Sequence, residues 1–177
     1  MKGGLEVFIQ SRESYNQVVE EFSNMIYRIA YQSLKNTTDA EDIVQDVFLS
    51  LLKSGKQEFS DKEHLKAWLI KVTVNKCINF RKSFWVQKTV PLEEQIISYT
   101  DEEKTLMDEV MKLPSDYRNI IYLYYYEGYT VKEIAEIMGK KQNTINSKLQ
   151  RGRKKLKAQL EKGETCYEEK QLHKCNG

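Results

Sequence analysis

Three cysteines, two histidines, two prolines and eight glycines are all that 177 residues contain of the types that most often staple, ligate or interrupt a fold. An odd set of scattered thiols, Cys77, Cys166 and Cys175, makes a poor disulfide framework and suits a reducing compartment. With His64 and His173 as the sole imidazoles, metal and general-base chemistry lack material. Cys166, His173 and Cys175 are spaced too widely for a metal or redox site, so the C-terminal end reads as an unstructured tail. No Gly-rich phosphate loop, nucleophile-base set or metal spacing is present, so no cofactor or metal is expected and an enzyme is the weakest reading. No apolar run reaches the roughly 18 residues that cross a bilayer. Met1 to Gln10 also lacks the basic-then-apolar order of a secretory signal. A cytoplasmic protein with no direct membrane insertion is expected.

The composition is 40% hydrophobic and 31% charged, which fits one or two compact soluble domains. The net charge of +2 is the sum of unlike segments. From Lys62 to Lys88 seven residues are basic against Glu63 alone, and from Pro91 to Glu109 seven are acidic against Lys104. From Lys140 to Lys157 eight are basic and none is acidic. Two basic blocks separated by an acidic one suggest two places that touch a polyanion.

Apolar residues recur at three- and four-residue steps from Tyr15 to Leu160, and no alternating strand pattern persists. The expected fold is all-α: two small helical domains joined by a flexible acidic linker. Tyr15, Val18, Val19, Phe22, Met25, Ile26, Ile29 and Leu34 form a first stripe. Capping boxes are expected at Thr38 with Glu41 and at Ser60 with Glu63, each opening a helix, with a loop around Gly55 between them. The third helix runs to about Lys82. Broken periodicity, Pro91 and accumulating acids then mark a linker. Further boxes at Thr100 with Glu103 and at Thr130 with Glu133, a restart at Ser115 and a helix end at Gly139 organise the second half. The resulting division is a domain over 1–84, a linker over 85–100, a domain over 101–161 and a tail over 162–177.

Thr130 to Met138, then Gly139 with Lys140 to Gln142, then a helix from about Asn143 has the lengths of a helix-turn-helix, whose second helix lies in the DNA major groove. With Ile145, Leu149 and Leu156 inward, the 100° step turns Asn143, Ser147, Gln150, Arg151 and Lys154 outward and puts Asn146 on the flank. Amides and a hydroxyl can read base edges, while basic residues pair with phosphates. A merely solvated basic face is the bland alternative, and the absence of acids over Lys140 to Lys157 weighs against it.

Three groups of residues now carry a resemblance. Asp39-Ala-Glu-Asp-Ile-Val-Gln-Asp-Val-Phe48 is one, and His64-Leu-Lys-Ala-Trp-Leu69 with Asn75 and Arg81 is another. The third runs from Leu113-Pro-Ser-Asp-Tyr-Arg118 through Glu133-Ile-Ala135 to Thr144-Ile-Asn-Ser-Lys-Leu-Gln-Arg-Gly-Arg153. In order and separation, over Tyr15 to Leu160, these resemble the extracytoplasmic-function (ECF) sigma factors of the sigma-70 family. The resemblance implies a promoter-recognition subunit of bacterial RNA polymerase, not an enzyme, serving a stress or envelope-signal regulon.

By that likeness the first domain binds core RNA polymerase and opens the −10 element, and the second binds the −35 element and the β flap. Asp39, Asp42, Gln45, Asp46 and Phe48 are implied to dock on the β′ clamp coiled coil. The loop Phe59, Ser60, Asp61 and Lys62 is implied to receive a base turned out of the duplex, with Phe59 stacking. The −10 strand would lie along Lys71, Asn75, Asn79, Arg81 and Lys82. At −35 the base-facing positions are Asn146, Ser147 and Gln150; Lys148 and Arg151 contact the backbone, and Lys141, Asn143, Thr144 and Lys154 flank them. Family members often carry an acid where Asn79 stands and a base where Asn146 stands, which implies an altered promoter preference. The acidic linker is implied to pass near the polymerase active centre. An anti-sigma factor, often membrane-bound in this group, completes the implied partners beside promoter DNA. The runner-up is a stand-alone helix-turn-helix transcription regulator, which would leave the acidic second helix and the Phe59 loop without a role.

Overall fold

The first apolar stripe folds as α1 (Arg12–Leu34), with Val18, Phe22, Met25, Ile26 and Ile29 buried. Near its end Ala30, Tyr31, Gln32 and Ser33 are buried too, so the last turns are enclosed on every side. Lys35 then takes a left-handed φ of 58° and its N–H donates to the Tyr31 carbonyl, which ends the helix. Asn36 follows with extended backbone, and its Oδ1 accepts the Asp39 N–H at 2.9 Å, capping α2 (Thr37–Lys53). The box expected at Thr38 and Glu41 is therefore displaced by two residues, because the turn at Lys35 presents Asn36 first.

The computed structural model describes residues 7–8, 12–54, 58–84 and 101–174, with side chains described over 12–54, 59–83 and 106–161. Among them are seven helices and one short antiparallel ladder, β1 (Val7–Phe8) on β2 (Glu58–Phe59), paired Val7 to Phe59 and Phe8 to Glu58. The ladder was not expected, since two residues are too few to show alternation. Gly55, the linker at 85–100 and the Thr100 and Glu103 box lie outside the described residues or side chains.

The third helix, α3 (Lys62–Phe84), is capped by Asp61, whose Oδ1 accepts the His64 N–H at 2.7 Å. This corrects the expected Ser60 cap by one residue: the carboxylate is the stronger acceptor at a helix N-terminus. Leu65, Leu69, Ile70, Val74 and Cys77 of α3 are buried with Ala40, Ile43, Val47, Phe48 and Leu51 of α2. Each aliphatic side chain so enclosed contributes about 1.5–3 kcal/mol of transfer free energy.

The chain divides into two compact units, residues 1–96 with 136–140 and residues 97–135 with 141–177. In the second, α4 (Asp101–Lys112) and α5 (Ser115–Tyr125) are separated at Pro114, which carries no side-chain cap bond. Buried Arg118 ties the corner by donating from Nη1 to the Met111 carbonyl at 2.8 Å. α6 (Val131–Met138) and α7 (Gln142–Lys174) follow. The helix α7 continues to Lys174, well into the segment expected to be an unstructured tail. One glycine, Gly163, and no proline stand between Glu161 and Lys174, so nothing local stops the helix.

Candidate nucleic-acid interface

The turn between α6 and α7 is built from local chemistry. Thr130 and Glu133 form the reciprocal box: the Thr130 N–H donates to Glu133 Oε2 at 2.8 Å, and the Glu133 N–H donates to Thr130 Oγ1 at 3.3 Å. The Thr130 hydroxyl, then its amide, hold the Glu133 carboxyl below the usual carboxylate range. Gly139 closes α6 with φ +60°, and the Thr144 and Ile145 amides reach back to the Lys141 carbonyl to open α7.

On α7, Ile145 and Leu149 are 1% and 2% exposed, which anchors the inner side. Asn143, Thr144, Asn146, Ser147, Gln150, Arg151 and Lys154 are exposed, as is Lys141. Lys148 is placed differently: it is half-buried, with Nζ 2.6 Å from Asp116 Oδ2 on α5. The ammonium, to which the resemblance assigns a DNA-backbone contact, faces a carboxylate in this structure. Arg153 likewise lies over the Tyr124 and Tyr125 rings, 5.1 and 5.4 Å from their centroids.

In the first unit, Lys71, Asn75, Asn79 and Lys82 are all exposed at helical spacing along α3. Arg81 is half-buried, and its charge acts on the Cys77 thiol. Burial dominates there and pushes that thiol up to about 11, partly offset by the Ser33 hydroxyl and by Arg81.

Phe59 is 2% exposed, packed edge-on against His64 at 5.5 Å and Trp68 at 5.8 Å. A base cannot stack on it in this arrangement, which corrects the role expected for its ring. Ser60, Asp61 and Lys62 are exposed. With the cap at Asp61, the Ser60 hydroxyl is released from helix capping and bonds Asp61 Oδ2 at 3.3 Å. Lys62 forms an ion pair with Glu21 of α1.

On α2, Asp42, Gln45 and Asp46 are exposed and Asp39 is half-buried. Burial, then the neighbouring Asp42 charge, raise the Asp39 carboxyl. Asp46 Oδ2 lies 3.4 Å from Lys76 Nζ of α3. Phe48 is a core residue at 5% exposure, so it is corrected from docking surface to packing. The exposed apolar residues of that helix are Leu49 at 47% and Leu52 at 55%. Leu49 stands four after Gln45 and seven after Asp42 on the same face.

Among the described residues no His, Cys, Asp and Glu group could hold a metal, and no helix is long and apolar enough to cross a membrane.

The chain matches sigma-70 region 2 over residues 18–85 and sigma-70 region 4 over residues 104–156. It is 32% identical over 143 residues to the RNA polymerase sigma factor SigV of Bacillus subtilis, covering 77% of this chain and 84% of that one. The ECF RNA polymerase sigma factor SigW of Bacillus subtilis is 25% identical over 169 residues, covering 84% and 90%. Among solved structures, the fold is similar to the sigma factor RpoE of Bartonella quintana in complex with the anti-sigma factor NepR. The TM-score is 0.65 at 22% identity, over 84% of this chain and 98% of that one. CnrH in complex with the cytosolic domain of CnrY gives a TM-score of 0.62 at 22% identity, over 86% and 90%. With both regions present in order, the chain belongs to the sigma-70 family as a sigma factor of the ECF type.

Proposed function

We propose that this sigma factor joins core RNA polymerase in the cytoplasm and directs initiation at promoters by engaging a −10 and a −35 element. One observation carries the reading: the chain matches both family regions in order, and α3 and α7 each present an exposed row of amides and basic residues. On α3 that face is Lys71, Asn75, Asn79 and Lys82, which neutralise and hydrogen-bond a separated −10 strand, aided by Arg81, Ser60, Asp61 and Lys62. Phe59 supports the loop from beneath. On α7, Asn146, Ser147 and Gln150 read base edges at −35, and Lys141, Asn143, Thr144, Arg151 and Lys154 hold the phosphates and flanks.

Asp39, Asp42, Gln45 and Asp46, with Leu49 and Leu52 in the place first given to Phe48, form the surface for the β′ clamp coiled coil. The second unit meets the β flap. Two tethered weak sites gain effective concentration only when both elements lie at the matching spacing, and polymerase supplies that geometry. An anti-sigma factor that covers these surfaces is the regulator proposed, in keeping with the similarly folded RpoE, which is in complex with the anti-sigma factor NepR. A stand-alone regulator is not favoured, because it gives no role to the region 2 match over 18–85.

Run-off transcription on a fragment library by purified core polymerase, with and without this protein, tests the proposal. Protein-dependent starts sharing two upstream elements are expected; unchanged transcription at micromolar protein and low salt would refute it.

A further inference from the structure

The helix α7 leans on α5 at three successive points. Lys148 meets Asp116 at 2.6 Å. One turn on, Gly152 is buried where an added Cβ would stand 3.0 Å from Ile121 Cδ1 and 3.4 Å from Tyr117 Cβ. Arg153 then lies over Tyr124 and Tyr125. The apolar and aromatic contacts fix how closely the helices approach and, with buried Ile145 and Leu149, confine the rotation of α7, which the ion pair then narrows. The ion pair is directional.

On a helical wheel Lys148 stands about 100° round from Ser147 and about 160° from Gln150, so its ammonium points along the seam and away from the base-facing residues. Of the eight basic residues from Lys140 to Lys157, Lys148 is thus engaged within the protein.

We infer that Asp116 is a specificity-determining residue for −35 reading: through Lys148 it sets the rotation of α7 that aims Asn146, Ser147 and Gln150 at the bases. Asp116 touches no base, and both members of the pair are positioning residues. The inference rests on the promoter-reading role of α7 proposed above. It runs against simple electrostatics, in which deleting an acid beside a DNA-binding helix strengthens binding to every sequence.

The test uses the full chain assembled with core polymerase, on promoters differing by single bases at −35 and over a range of salt. Asp116→Asn and Lys148→Gln are each expected to lower the ratio of activity on the preferred to the substituted element by about three- to fivefold, the scale of a partly exposed pair. The double variant is expected to be no worse than either single, and Lys148→Arg and Asp116→Glu to keep the ratio. The salt slope should stay unchanged in Lys148→Gln. If instead Asp116→Asn keeps the ratio while Lys148→Gln weakens all promoters alike and flattens the slope by about one ion, Lys148 is a phosphate contact and the inference fails alone. Absence of any −35 dependence with the unaltered protein would overturn the promoter reading as well.

Discussion

Phe48 of α2 meets the Tyr15 ring of α1 edge-on, with centroids 6.3 Å apart and planes at 78°. That contact turns Phe48 into the core and, one residue later on the wheel, turns Leu49 out. Aromatic edge-to-face pairs add about 0.5–1.5 kcal/mol beyond area burial, so the rotation of α2 is well determined. The outer face of α2 is consequently acidic at one end and aliphatic at the other.

Replacing Leu49 and Leu52 together by Ser is expected to weaken core polymerase binding about tenfold, with unchanged thermal melting, because both side chains are already in water in the free protein. Phe48→Ala should do the reverse, lowering stability by about 3–5 kcal/mol. Titration of labelled polymerase alongside circular dichroism melts separates the two.

For the −35 face, Gln150→Ala is expected to change base preference by about 1–3 kcal/mol, whereas Arg151→Ala weakens binding to all promoters and reduces the salt slope by about one. Equal losses on every promoter for Gln150→Ala in a transcription assay would defeat that assignment.

Cys77 supplies a pH dependence. Its thiol rises from an ordinary value of 9.0 to about 11, mainly through burial, so the fold favours the neutral form. The associated stability is present in full below about 9 and is lost as pH climbs through about 11, on the order of 2–3 kcal/mol. Urea melts at about pH 8 and about pH 10.5 should show a larger fall for the natural protein than for Cys77→Ala.

Gln32 is 1% exposed, and neither its Oε1 nor its Nε2 has a hydrogen-bond partner among the described residues. Leaving such a group unsatisfied costs about 1–3 kcal/mol. Gln32→Met, close in shape, is expected to raise the urea midpoint by a comparable stability; a lowered midpoint would show that the amide is satisfied in solution.

The all-α architecture was legible because its signals are local. Thr130 and Glu133 bond each other three residues apart and Gly139 turns the chain within its own position, and they do in space what their spacing says. Asn36 and Asp61 were missed for the opposite reason: polar residues stand next to each other at both helix starts, and backbone geometry chooses between them. For Leu51 and Leu52, periodicity alone cannot say which of two adjacent apolar residues faces in; the structure buries the first and exposes the second. Lys148 was least legible of all, since its carboxylate lies 32 residues earlier in the chain. A run of like charges on one helix carries no trace of a partner on another.

Gly128 and Gly139 bracket α6 with φ of +74° and +60°, and a Cβ added at either would touch nothing within 4 Å. Room is therefore plentiful at both corners, and handedness is what they demand. A mirror-image alanine introduced by chemical synthesis would sit there without strain and would stiffen the unfolded chain, while its ordinary enantiomer would resist the turn. The chain's path into and out of α6 is thereby set at two points by backbone handedness.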